Sequence, residues 1–173
     1  MEDEVTPSLP EIVGLVVERV SNCYQKHDLC CSEAISSVLS QAFASGLSAR
    51  EAVQLGAGFC HGMGGAGCSC GALTGSVLIL SCYLGPHGPS GLQKKEFRSC
   101  IRELHHQFQE RFRSTCCRVL SKKRAGDRES RRVSCLELTK GGAEIAATLL
   151  LEARPELMHA VDLIFLHSSQ PPL

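Results

Sequence analysis

Apolar residues recur at intervals of three and four along most of this chain, and no stretch alternates with a period of two. That pattern predicts helices and gives no support for a substantial sheet. Over residues 11–24, Ile12, Val16, Val20 and Cys23 share one face with Leu15 and Val13 beside them, and Pro10 stands where a helix can open. A second helix is expected to start at Ser32 as N-cap, turn Ile35, Val38, Leu39, Ala42 and Phe43 inward, and end before Gly46. Cys31 then lies at a helix N-terminus. Ser48-Ala-Arg-Glu51 has the spacing of a capping box and opens a short third helix through Ala52, Val53 and Leu55.

From Ala72 to Leu84 the chain is apolar nearly all round, which marks a buried helix stopped by Gly85-Pro86. Gly71 and Gly75 fall on one face and admit another helix closely. From Leu92 to about Leu120 a stripe of Phe97, Ile101, Leu104, Phe108 and Phe112 predicts one long amphipathic helix. Residues 121–132 hold almost nothing apolar and read as an exposed loop. Two further helical patterns, from Cys135 through Leu151 and from Pro155 to Phe165, are split at Arg154-Pro155. The expected architecture is all-α: a single-domain bundle over 1–173, of about six or seven helices with a glycine-rich turn. Its cysteine-bearing region covers 11–150, and 155–173 forms a C-terminal helix and tail.

Composition narrows the functional classes. A chain of 173 residues, 43% hydrophobic, can bury one core without disulfides, and the formal net charge of +0 supplies no field to attract nucleic acid or an anionic membrane. With 5% aromatic residues and no Trp, a base-stacking platform is hard to build. The longest apolar stretch is far shorter than the roughly 20 residues that span a bilayer. The start, Met1-Glu-Asp-Glu-Val-Thr-Pro7, lacks the basic and apolar regions of a secretory signal, so a cytoplasmic location is expected. Eleven cysteines then need a reason, because structural disulfides are rare in a reducing compartment. They divide between packing thiols and thiols that bind metal or change redox state.

Between Gly56 and Gly75 glycine is dense enough for tight and left-handed turns, and the site is expected there. Gly62-Met-Gly-Gly-Ala-Gly67 satisfies G-x-G-x-x-G, but a helical pattern rather than a strand precedes it, which argues against a dinucleotide. Cys60-His61 lacks the earlier cysteine of a haem-attachment motif, since residue 57 is Ala. Neither a Ser-His-Asp order nor H-E-x-x-H is present, and Lys122–Arg132 is interrupted by Asp127 and Glu129 and reads as solvated. Cys70 precedes a helix, where the dipole favours thiolate, and is expected to be more reactive than an ordinary cysteine. In the adjacent pairs Cys30-Cys31 and Cys116-Cys117, one member of each is expected to face the site. Cys23, Cys82 and Cys100 are expected to be inert packing thiols.

Four blocks then stand in order: Cys31-Ser-Glu-Ala-Ile35; Gly67-Cys-Ser-Cys-Gly-Ala-Leu-Thr-Gly75; Phe112-Arg-Ser-Thr-Cys-Cys-Arg-Val-Leu120; and Cys135. In this order they resemble the redox-active family named for its C, GCAxxG, C, C signature. Carried over by position, the resemblance implies Cys31, Cys70, Cys117 and Cys135 as ligands. It also implies kinship with the helical domain of split-Soret cytochromes and hence a [2Fe-2S] iron-sulfur cluster, with zinc as the alternative. Cys68, Cys116 and Cys30 are possible substitutes for their neighbours. The expected function is an electron carrier or redox sensor with a redox partner protein and a possible homodimer, without nucleic acid or membrane. The alternatives are a thiol–disulfide oxidoreductase, with Cys70 attacking and Cys117 or Cys135 resolving, and a zinc-stabilised helical interaction protein.

Overall fold

The computed structural model describes residues 7–122 and 128–172, with the side chains of 122 and 128–133 left undescribed. In chain order the α-helices are α1 Leu9–Lys26, α2 Cys31–Ala42, α3 Ala49–Ala57, α4 Cys60–Met63, α5 Gly71–Leu84, α6 Lys94–Phe112, α7 Cys117–Lys122, α8 Arg128–Ala153 and α9 Leu163–His167. A 3₁₀ turn, Pro155–Ala160, joins α8 to α9. The described residues form no strand beyond one isolated antiparallel bridge, Ser69 with Cys116, so the fold is all-α as expected.

The core is one continuous apolar cluster with α2 at its centre. This helix packs on α1, α3, α5 and α8, which accounts for Ile35, Val38 and Leu39 being fully buried. It also buries Ser32, Ser36, Ser37 and Ser40, whose polar atoms need internal partners. Ser36 donates to the carbonyls of Ser32 at 2.7 Å and Ala52 at 2.9 Å, and Ser32 donates to Gly56 at 2.8 Å. These hydroxyls join α2 to α3 while leaving no bulk between them. The capping box at Ser48 forms as its spacing predicts: Glu51 N–H donates to Ser48 Oγ at 3.3 Å, and Ser48 N–H donates to the Glu51 carboxylate at 2.8 Å.

Four boundaries differ from those expected. The N-cap of α2 is Cys30 rather than Ser32, because the Glu33 carboxylate reaches back to the Cys30 N–H at 2.8 Å and the Ser32 hydroxyl is committed to Gly56. The long helix expected over 92–120 breaks after Phe112, where Arg113 turns left-handed at φ 64°, and resumes at Cys117. Hydrogen bonds from 115–118 to the glycine-rich turn replace those that a continuous helix would make. The loop expected over 121–132 is helical at both ends, since Arg and Glu near 128–132 favour helix, and only 123–127 lie outside the described residues. The helix expected from Pro155 is the 3₁₀ turn followed by the short α9.

Gly14 sits exposed inside α1, and a Cβ built there meets nothing within 4 Å. Gly14→Ala is therefore expected to raise stability by about 0.5–1 kcal/mol in urea denaturation, through helix propensity alone. Arg19, 1% exposed on the same helix, donates to the carbonyls of Ser168 and Gln170, each at 2.7 Å, and lies over the Phe165 ring. It ties the C-terminal segment to α1. Arg19→Met removes both charged hydrogen bonds and is expected to cost about 2–3 kcal/mol, with faster proteolysis beyond His167.

Candidate redox site

The glycine-rich turn between α3 and α5 folds back on itself through left-handed residues: His61, Gly62, Met63, Gly64, Gly65 and Gly67 all have positive φ. The glycine at 62 is required twice over. Its φ is +72°, and a Cβ there would lie 2.5 Å from Cys117 Cβ and 2.9 Å from Cys68 N. The turn then docks on the segment that follows α6. Cys70 N–H donates to Thr115 at 2.8 Å, Cys117 N–H to Cys68 at 2.6 Å and Arg118 N–H to Gly67 at 3.0 Å. The Arg118 guanidinium adds a bond to the Ala66 carbonyl at 2.7 Å. This pairing fixes Cys70 and Cys117 against each other.

Close helix contacts bring in Cys31 and Cys135. Gly71 and Gly75 face the start of α2: a Cβ at 75 would lie 2.8 Å from Ser32 Cα, and one at 71 would strike Cys31 Sγ. Cys31 can therefore approach Cys70 only because residue 71 lacks a side chain. On the other side α5 meets α8, where Ser76 donates to the Gly142 carbonyl at 3.0 Å and a Cβ on Gly142 would be 2.9 Å from the Ala72 carbonyl. Cys135 lies two turns before that crossing.

The four cysteines form one electrostatically coupled group. Cys31 feels Cys70, Cys135 and Cys117; Cys70 feels Cys117 and Cys135; Cys117 feels Cys135. Every pair is thus represented. Burial first, and the neighbouring thiols next, push Cys31 up to about 12, with the Ser32 amide pulling the other way. Burial likewise pushes Cys70 up to about 11 against the amides of Ala72 and Leu73, which face it without closing an ordinary cap hydrogen bond. Burial and the thiols of Cys135 and Cys116 also raise Cys117.

The expectation of a reactive Cys70 thiolate is therefore reversed in the metal-free chain, since burial outweighs the helix terminus. In metal-free, reduced protein near neutral pH, Cys70 is therefore held as the neutral thiol. Iodoacetamide is accordingly expected to label the exposed Cys68 and Cys82 well before Cys70, as peptide mass mapping would record.

Three of the four stand at the start of a helix: Cys31 opens α2, Cys70 caps α5 and Cys117 opens α7. Cys135 instead lies inside α8. The neighbours named as substitutes are turned elsewhere. Cys68 is exposed, Cys116 Sγ points to the Gly67 carbonyl at 3.3 Å, and Cys30 is joined to Cys60 in a disulfide. Cys23 is buried, whereas Cys82 is exposed, contrary to its expected packing role, because its position in α5 is turned away from the core. The Cys30–Cys60 pair went unforeseen; Cys60 carries no spacing signal, and the expectation of a reducing compartment argued against disulfides.

A family model described as "Putative redox-active protein (C_GCAxxG_C_C)" matches residues 29–149. The chain belongs to this family. Its match spans every element that carries one of the four cysteines, from the turn before α2 into the last part of α8. Comparison with curated proteins and with solved structures finds no match. Redox activity is the character by which the family is described. Among the described residues, no helix is long and apolar enough to cross a membrane.

Proposed function

We propose that Cys31, Cys70, Cys117 and Cys135 hold a metal centre through which the protein acts as an electron carrier or redox sensor. The convergence of four thiols from α2, α5, α7 and α8 supports this reading. Four sulfur donors suit an iron-sulfur cluster or zinc. A single zinc ion, with Zn–S near 2.3 Å, draws its sulfurs to about 3.8 Å from one another. Among the described residues the donor group gathered within 4.8 Å is Cys30, Glu33 and Cys60, and no three of the four converging thiols meet that spacing. The wider arrangement favours a cluster, and the resemblance of the ordered cysteine blocks to the helical domain of split-Soret cytochromes points to [2Fe-2S].

Such a cluster, when bound, supplies one-electron transfer at a potential set by its surroundings. The chain's own residues set those surroundings. The amides of Ser32, Ala72 and Leu73 favour negative charge on sulfur, and burial of Cys70 keeps water from that side. Met63 and Val119, both exposed, flank Cys117 in sequence or across the turn, and a redox partner protein would approach over them. A reducing cytoplasm suits a centre of this kind.

Anaerobic purification with visible absorption, iron and acid-labile sulfide assays tests the proposal. Equal iron and sulfide per chain, with reversible bleaching by dithionite, is the expected result. A colourless chain after reconstitution, or stoichiometric zinc without a redox transition, overturns it.

A further inference from the structure

We propose that Cys30 and Cys60 form a second redox site, a dithiol–disulfide couple that exchanges two electrons with small-molecule thiols independently of the four-cysteine group. The two residues are joined across a sequence separation of 30, and both are half-buried, so a small thiol can reach them. Their surroundings are built for both oxidation states. The Ser32 hydroxyl, fully buried, gives its hydrogen to Gly56 at 2.8 Å and lies 3.3 Å from Cys30 Sγ and 3.5 Å from Cys60 Sγ. Its oxygen is therefore left to accept S–H hydrogens once the pair is reduced. The Glu33 carboxylate lies within 4.8 Å of both sulfurs and can relay a proton.

Cys60 stands in the four-residue α4, next to the left-handed His61 and Gly62, and Cys30 lies in the turn before α2. Opening the pair therefore disturbs no core helix interior. The chemistry is thiol–disulfide exchange. A small thiol RSH, as its thiolate, attacks Cys60 Sγ. The Cys30–Cys60 bond breaks, and Cys30 leaves at the N-terminus of α2, where the helix dipole favours its negative charge, and takes up the proton released by RSH. A second RSH displaces Cys60 from the mixed disulfide. Two RSH are oxidised to RSSR, and the protein disulfide gains two electrons and two protons to become two thiols. The reverse sequence, with RSSR as oxidant, recloses it.

The full chain is equilibrated anaerobically in glutathione buffers running from fully reduced to fully oxidised, alkylated, and mapped as peptides without reductant. The Cys30–Cys60 linked peptide is expected to pass completely from open to closed within the series and back again. The same transition is expected in Cys70→Ser, so that loss of the four-cysteine centre and loss of this couple are separable. Cys60→Ser, checked for helix content by circular dichroism, is expected to leave Cys30 holding one glutathione. A linkage absent at the oxidised end, one still closed at the reduced end, or pairing of either residue with another cysteine overturns the proposal. So does a zinc ion held by reduced Cys30 and Cys60 that oxidised glutathione cannot displace.

Discussion

Cys70→Ser is expected to lose bound iron and sulfide to background while keeping its helix content, and Cys68→Ser, two residues earlier, is expected to keep both. The two positions share a turn but not an environment. Cys70 is 5% exposed, caps α5 and is coupled to the other three thiols, whereas Cys68 faces solvent. Serine preserves the size of the side chain and its capacity to cap a helix, so the fold should tolerate the change. A serine hydroxyl is a far poorer ligand for iron than a thiolate, and a four-ligand site with one donor removed holds its group weakly. Iron and sulfide assays on both variants, purified anaerobically in parallel, provide the measurement. Retention by Cys70→Ser or loss by Cys68→Ser would count against the assignment.

Gly75→Val is expected to destabilise the chain by about 3 kcal/mol and to empty the site as well. The Cβ alone would lie 2.8 Å from Ser32 Cα and 3.0 Å from the Ser32 carbonyl, both backbone atoms that cannot swing aside. Relief requires α5 and α2 to separate. That separation draws Cys31 away from Cys70 and weakens the Ser32 to Gly56 bond. Thermal denaturation should show a midpoint lower by roughly 6–12 °C for a chain of this size. Gly14→Ala makes the contrast, since a helical glycine with open space around it gains from a side chain. An unchanged midpoint in Gly75→Val would show that the two helices are not held as closely as described.

Much of this arrangement is legible in the sequence. The capping box at Ser48 and the buried α5 between Gly71 and Gly85 follow from spacing alone. The close approach on Gly71 and Gly75 follows from two small residues four positions apart. What failed were the places where distant pieces of chain compete with local preference. The stripe through Phe97, Ile101, Leu104, Phe108 and Phe112 continues smoothly toward Leu120, yet the helix stops at Arg113 because 115–118 pair with the turn at 67–70. Periodicity records which face is buried and says nothing about such pairing.

The site divides the same way. Ordered cysteine blocks selected Cys31, Cys70, Cys117 and Cys135, and the coupling among them is a property of the folded chain. The helix terminus favours a Cys70 thiolate locally, but burial, which only the packed structure supplies, outweighs it. Cys60 is not legible as a disulfide partner because Cys30 lies 30 residues away and nothing in the intervening sequence announces the contact.

The position of Cys135 has a consequence for how the protein is made. The first of the four thiols leaves the ribosome early, but the last rides on α8, which packs against α1, α2, α5 and α6. A nascent chain that has exposed Cys31, Cys70 and Cys117 still lacks both the fourth donor and the helix against which α5 settles. The proposed four-cysteine site is therefore complete only once α8 has been made and has packed against α5.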